Sequence, residues 1–98
     1  MRVISQDGTM DFPYEMSIVW CEDAGAVLLQ PIGETGEYQT FAKYSTEEKA
    51  KKAMEELRYA YMCHSLVKMG KSPLDGIGEK ITMGLSGVFQ FPKEEELE

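Results

Sequence analysis

STEEKAKKAMEELRYAYMCHSLVKMG, residues 45–70, has both a start and a stop for one long helix written into it. Ser45-Thr46-Glu47-Glu48 fits a capping box, in which the Ser45 hydroxyl takes up a free N–H of the first turn while Glu48 reaches back. Glu47→Lys51 and Glu48→Lys52 are i,i+4 pairs in the favourable order, each contributing about 0.3–0.5 kcal/mol. Lys68 complements the negative end of the helix dipole, and Gly70 suits the left-handed residue that terminates a helix.

The faces of this helix say more than its ends. At about 100° per residue, Ala50, Ala53, Met54, Leu57, Ala60, Tyr61 and His64 form one stripe suited to covering a sheet. A second stripe, Tyr59, Met62, Leu66 and Met69, points almost the opposite way, where a surface helix should be polar. Something is expected to cover it: the chain's later segment, or a second copy in a homodimer.

Upstream of the helix the chain reads as strands and turns. Asp7-Gly8, between Val3-Ile4-Ser5 and Thr9-Met10-Asp11-Phe12, is a hairpin signal because both residues tolerate positive φ. From Met10 to Trp20 every even residue is apolar or aromatic (Met10, Phe12, Tyr14, Met16, Ile18, Trp20), which predicts a strand with that face on a core. Pro13 cannot donate to a ladder and marks an edge or a bend that divides the stretch. Turns at Glu22-Asp23-Ala24-Gly25 and at Pro31–Gly36 bracket the apolar run Ala26-Val27-Leu28-Leu29, and Glu37–Tyr44 reads as a further strand. Short connections make consecutive strands antiparallel neighbours.

Downstream, residues 71–87 hold four glycines with little periodicity and read as a long loop. Val88-Phe89-Gln90-Phe91 is a short strand stopped by Pro92, and residues 93–98 read as a solvated acidic tail whose final Leu97-Glu98 looks like a vector-derived scar. The expected fold is therefore α+β. It consists of an antiparallel meander of four or five strands with one long helix on one face and a short C-terminal strand, in a single domain over residues 1–92.

Composition excludes more functions than it suggests. The chain has 98 residues, 43% of them hydrophobic, which is enough apolar content for one ordinary soluble domain. Ten Lys and Arg against seventeen Asp and Glu give a net charge of −7, contrary to the basic face that nucleic acid or an anionic membrane requires. No apolar run approaches the ~18–20 residues of a membrane span. The N-terminus lacks the apolar core of a signal peptide, so Cys21 and Cys63 are expected as free thiols in a reduced cytoplasm.

The charge is also unevenly placed. Residues 1–42 are net −6 with Arg2 their one cation, residues 43–71 are net +3, and residues 72–98 are net −4. The acidic strands and the basic helix are complementary within a molecule or between two copies.

Candidate chemical motifs dissolve on inspection. Ser65–Ser72 comes one residue from a phosphate-binding loop, but Ser65 replaces the first glycine, a helix precedes it and Pro73 follows. Gly76-Ile77-Gly78 lacks the strand and the third glycine of a dinucleotide site. Cys63 and His64 are helix neighbours pointing about 100° apart, and no Cys-x-x-Cys pair offers a zinc site. The sequence thus names no catalytic residue, metal ligand or cofactor.

Several stretches together carry a resemblance. They are RVISQDGT at residues 2–9, DFPYE at 11–15, AKYSTEEKA at 42–50, AMEEL at 53–57 and VFQFP at 88–92. With these the chain resembles a family of small uncharacterised proteins encoded by prophages and mobile elements of Gram-positive bacteria. The resemblance implies a bacterial cytoplasmic setting and an accessory role, and brings no functional residues. The leading expectation is a non-enzymatic interaction or regulatory module whose partner is a second copy or a host protein. Its candidate surface is Tyr59, Met62, Leu66 and Met69. A second expectation is an acidic mimic of nucleic acid that inhibits a host protein, and a third is a small hydrolase or thiol enzyme using Cys21 or His64.

Overall fold

Six short strands and one 22-residue helix make up the computed structural model, which describes residues 1–68 and 87–97. The strands are β1 (Arg2–Ile4), β2 (Asp11–Pro13), β3 (Ser17–Cys21), β4 (Ala26–Pro31), β5 (Gln39–Lys43) and β6 (Val88–Gln90), and the helix is α1 (Glu47–Lys68). Met69 and the expected glycine-rich loop, apart from Gly87, lie outside the described residues.

The class is α+β, with the long helix, the meander and the C-terminal strand that the sequence indicates. The strands form two sheets of three, ordered β2-β1-β6 and β3-β4-β5, where the pattern suggested one sheet of four or five. In the first sheet β1 pairs antiparallel with β2 and parallel with β6. The second is the antiparallel meander. Gln6 links the two: its N–H donates to the Phe41 carbonyl at 2.6 Å, and its side-chain oxygen accepts from the Lys43 N–H at 3.0 Å.

The division into two sheets begins at Pro13. It ends β2, which is an edge strand, and is followed by one 3-10 turn over Tyr14–Met16 closed by the Ser17 N–H on the Tyr14 carbonyl. A helical turn advances side chains by far less than the 180° per residue of a strand, so the alternation loses phase here. Met10, Phe12 and Tyr14 pack on the core as predicted, but beyond the turn Val19 and Cys21 do so, while Met16 and Ile18 lie exposed.

The core lies between the two sheets and α1. Val3, Val27, Leu29, Tyr44, Leu57 and Phe89 are fully buried in it, together with the small residues Ala50, Ala53 and Ala60 that let the helix approach closely. The first helix stripe thus faces where its periodicity points. The start of the helix and the C-terminal segment differ from expectation. The Thr46 hydroxyl, not that of Ser45, accepts from the Lys49 N–H at 3.2 Å, and the Ser45 N–H donates to the Glu94 carboxylate, the place the capping box would give to Glu48. The Glu47–Lys51 pair forms at 3.9 Å.

Residues 93–97 are not a solvated tail. Glu94–Glu96 form a 3-10 turn, Glu94 bonds both Ser45 and Lys49, and Leu97 is 6% exposed within the core cluster. Apolar burial of one leucine outweighs the solvation that three neighbouring glutamates seek, because all three can keep their carboxylates toward water or a cation.

Candidate interaction surface

The β3–β4 register assigns a face to every residue of the second sheet. Ser17 pairs with Pro31, Ile18 with Gln30, Val19 with Leu29, Trp20 with Leu28 and Cys21 with Val27. Val27 and Leu29 belong to the core, so Ile18, Trp20, Leu28 and Gln30 occupy the opposite, outer face. Thr40 of β5 pairs with Leu28 and continues that face.

Leu28 is 3% exposed yet stands outside the core cluster. Its cross-strand partner on that face is Trp20, whose ring meets that of Tyr38 edge to face, with centroids 5.8 Å apart and planes at 65°. Such a pair adds about 0.5–1.5 kcal/mol beyond its buried area. Tyr38 itself, with Met16, Ile18 and Ile32, is between 51 and 61% exposed. The Ile32 N–H donates to the Met16 carbonyl at 2.9 Å, so these two side chains extend the apolar face at one end. Single exposed apolar residues are ordinary, but a contiguous group on one sheet face is not.

The helix stripe chosen from the sequence is less open. Met62 is exposed, Tyr59 and Leu66 are half-buried, and Met69 lies outside the described residues. Burial, reinforced by the Cys63 thiol, pushes the Tyr59 phenol above its ordinary value.

The reactive side chains sit in two different elements of the fold, β3 and α1. Cys63 is buried in the helix, Cys21 is half-buried against the core from β3, and His64 sits beside Gly87 with its ring 6.5 Å from that of Tyr61. Tyr61 in turn meets Tyr14 at 4.8 Å. Among the described residues no three His, Cys, Asp or Glu side chains converge as a metal ion needs, and no helix is long and apolar enough to cross a membrane.

A cleft of about 320 Å³ lies between Gln6, Glu56, Gln90, Pro92 and Glu96. Its polar groups are largely committed to the fold. Gln6 and Tyr44 both donate to the Pro92 carbonyl, at 3.2 and 2.7 Å, and Gln90 donates to the Ser5 carbonyl at 3.3 Å. Burial first, then Glu56, Glu96 and Glu94, push the Tyr44 phenol far above its usual range, so it remains a donor. These bonds tie the C-terminal segment to the body of the fold.

Comparison with protein-family models, curated proteins and solved structures finds no match to this chain. The surface must therefore speak for itself. Sequence periodicity places Ile18 and Trp20 on the core side. The contrary signal is in the sequence: Ser17–Cys21 is apolar at both parities beyond Ser17, and so is Ala26–Leu29. Such runs belong to strands covered on both faces, and here one cover is missing among the described residues.

Proposed function

We propose that this chain is a non-enzymatic protein-interaction module, a phage-like accessory or regulatory protein of the bacterial cytoplasm. It binds its protein partner through the outer face of the β3-β4-β5 sheet. One observation carries this: Met16, Ile18 and Ile32, each at least half exposed, lie with the Trp20–Tyr38 pair on or beside one face of the second sheet. Leaving that face in water costs free energy that a partner's apolar surface would recover, at roughly 25 cal/mol per Å². The helix stripe around Met62 offers less open apolar area among the described residues.

A nucleic-acid mimic would need its carboxylates free and arrayed together. Asp11, Glu15 and Glu94 are instead paired with Arg2, the Met1 amino group and Lys49. The interaction reading is tested by parallel capture from a lysate of the native host with the wild-type chain, an Ile18→Ser/Ile32→Ser variant and a Met62→Ser variant. A specific partner retained by wild type and Met62→Ser, and lost by Ile18→Ser/Ile32→Ser, supports it. Equal retention by all three chains contradicts it.

A further inference from the structure

We infer that the occupant of this face is a segment of another protein with an apolar centre and cations at both ends. The inference rests on the docking reading above and adds the chemistry of the partner.

Four carboxylates frame the apolar face. Glu22 and Asp23 sit in the β3–β4 turn at one end, and Glu34 and Glu37 in the β4–β5 connection at the other. All four are exposed, and none forms an ion pair among the described residues. The other carboxylates of the acidic N-terminal region are engaged: Asp11 by Arg2, Glu15 by the Met1 amino group, and Asp7 by the Ser5 and Thr9 hydroxyls. Negative charge thus outnumbers positive at the two ends of the face, four carboxylates against Lys43, which pairs with Ala26 of β4. At about 3.3 Å per residue, a five-residue strand sets those ends roughly 15–20 Å apart.

Docking a neutral apolar segment would crowd four carboxylates without offering them a partner, at a desolvation cost. Lysine or arginine at each end of the segment turns that cost into attraction and also speeds encounter. A second copy docking by the same face would bring four more carboxylates against these four. Its basic helix, with Arg58 beside Met62, would dock head to tail, and a contact of that kind closes into rings or runs on into open chains. A separate cationic, apolar segment meets neither objection.

Trp20 is the chain's one tryptophan and lies on the face, so its emission reports occupancy directly. The test titrates the protein with two synthetic 14-residue peptides sharing one leucine pattern, one with Lys pairs at both ends and one with Glu in their place. The Lys peptide is expected to move Trp20 emission to the blue saturably, and the Glu peptide to leave it unchanged. The rim variant Glu22→Gln/Asp23→Asn/Glu34→Gln/Glu37→Gln is expected to weaken the Lys peptide at least tenfold. The helix variant Glu48→Gln/Glu55→Gln should stay within twofold of wild type.

If Ile18→Ser/Ile32→Ser weakens binding while the rim variant matches wild type, the cationic partner is overturned and the docking face stands. If neither variant matters, or neither peptide shifts Trp20, both fall. A blue shift on concentrating the protein alone, with sedimentation as a larger species, assigns the face to a second copy and overturns the inference.

Discussion

Trp20, paired with Leu28 on the outer side of the second sheet, meets Tyr38 edge to face at 5.8 Å, and Tyr38 is 53% exposed. In a chain of this size, most aromatic area is needed inside. An aromatic pair with one ring more than half exposed is a surface feature, and Ile18 and Ile32 add exposed apolar area to the same sheet.

The assignment of faces can be checked by stability alone. Ile18→Thr keeps a β-branched residue on the exposed side and should change unfolding free energy by no more than about 0.5 kcal/mol. Leu29→Ala on the core side should cost about 2–5 kcal/mol. Urea denaturation of the two variants decides the matter, and the reverse order would restore the even-numbered core face.

Two glycines with the same backbone angle make a matched pair. Gly25 has φ +92° and Gly33 φ +93°, but a Cβ on Gly25 would lie 2.2 Å from the Tyr44 carbonyl oxygen, whereas one on Gly33 meets nothing within 4 Å. Gly33→Ala should therefore cost only the left-handed backbone penalty of about 1–2 kcal/mol. Gly25→Ala must also displace the Tyr44 and Thr46 carbonyls, next to the Tyr44 N–H bond to the Gly25 carbonyl, and should cost clearly more or prevent folding. Equal melting temperatures for the two variants would contradict this packing.

The C-terminal turn should matter to the whole fold. Leu97→Ala removes a core side chain and is expected to cost about 2 kcal/mol or more. Glu95→Ala, two residues away and exposed, should stay within about 0.5 kcal/mol. Thermal unfolding of both variants provides the comparison, and a neutral Leu97→Ala would return the segment to a free tail.

The hairpin turn gives a pH signature. Asp7 accepts from the Thr9 hydroxyl at 2.7 Å, the Ser5 hydroxyl at 2.7 Å and the Thr9 N–H at 3.0 Å, and these bonds lower its carboxyl from 3.8 to about 2. A depressed folded-state value means that the unfolded chain takes up the proton first as pH falls. The stabilisation is therefore complete above about pH 4 and is lost as pH falls toward 2. An NMR titration of the Asp7 carboxyl carbon should give a midpoint near 2, and the stability gap between wild type and Asp7→Asn should shrink over the same range. A midpoint near 3.8 would show that the turn does not hold the carboxylate.

How much of this was legible in the sequence depends on how local its cause is. The helix from Glu47 to Lys68, the Asp7-Gly8 hairpin and the Gly25 turn follow from caps, periodicity and φ requirements within a few residues. Pro13 marked the break itself, but the phase change across Tyr14–Met16 was not legible, because the even-numbered alternation happens to continue through the 3-10 turn. Leu97 was missed for the opposite reason: its burial depends on Glu94 reaching Ser45 and Lys49, far away in sequence. The outer-face surface followed the same rule. Its residues were all visible as apolar, but which side they faced depended on the lost phase.

The central claim is that binding occurs on the sheet face around Trp20 and not on the helix around Met62. Hydroxyl-radical footprinting tests it directly, because both surfaces carry oxidisable side chains: Met16, Trp20 and Tyr38 on one, Tyr59 and Met62 on the other. With the captured partner bound, Met16, Trp20 and Tyr38 should lose reactivity while Met62 keeps its own. Protection of Met62 with Trp20 and Tyr38 left fully reactive would contradict the account.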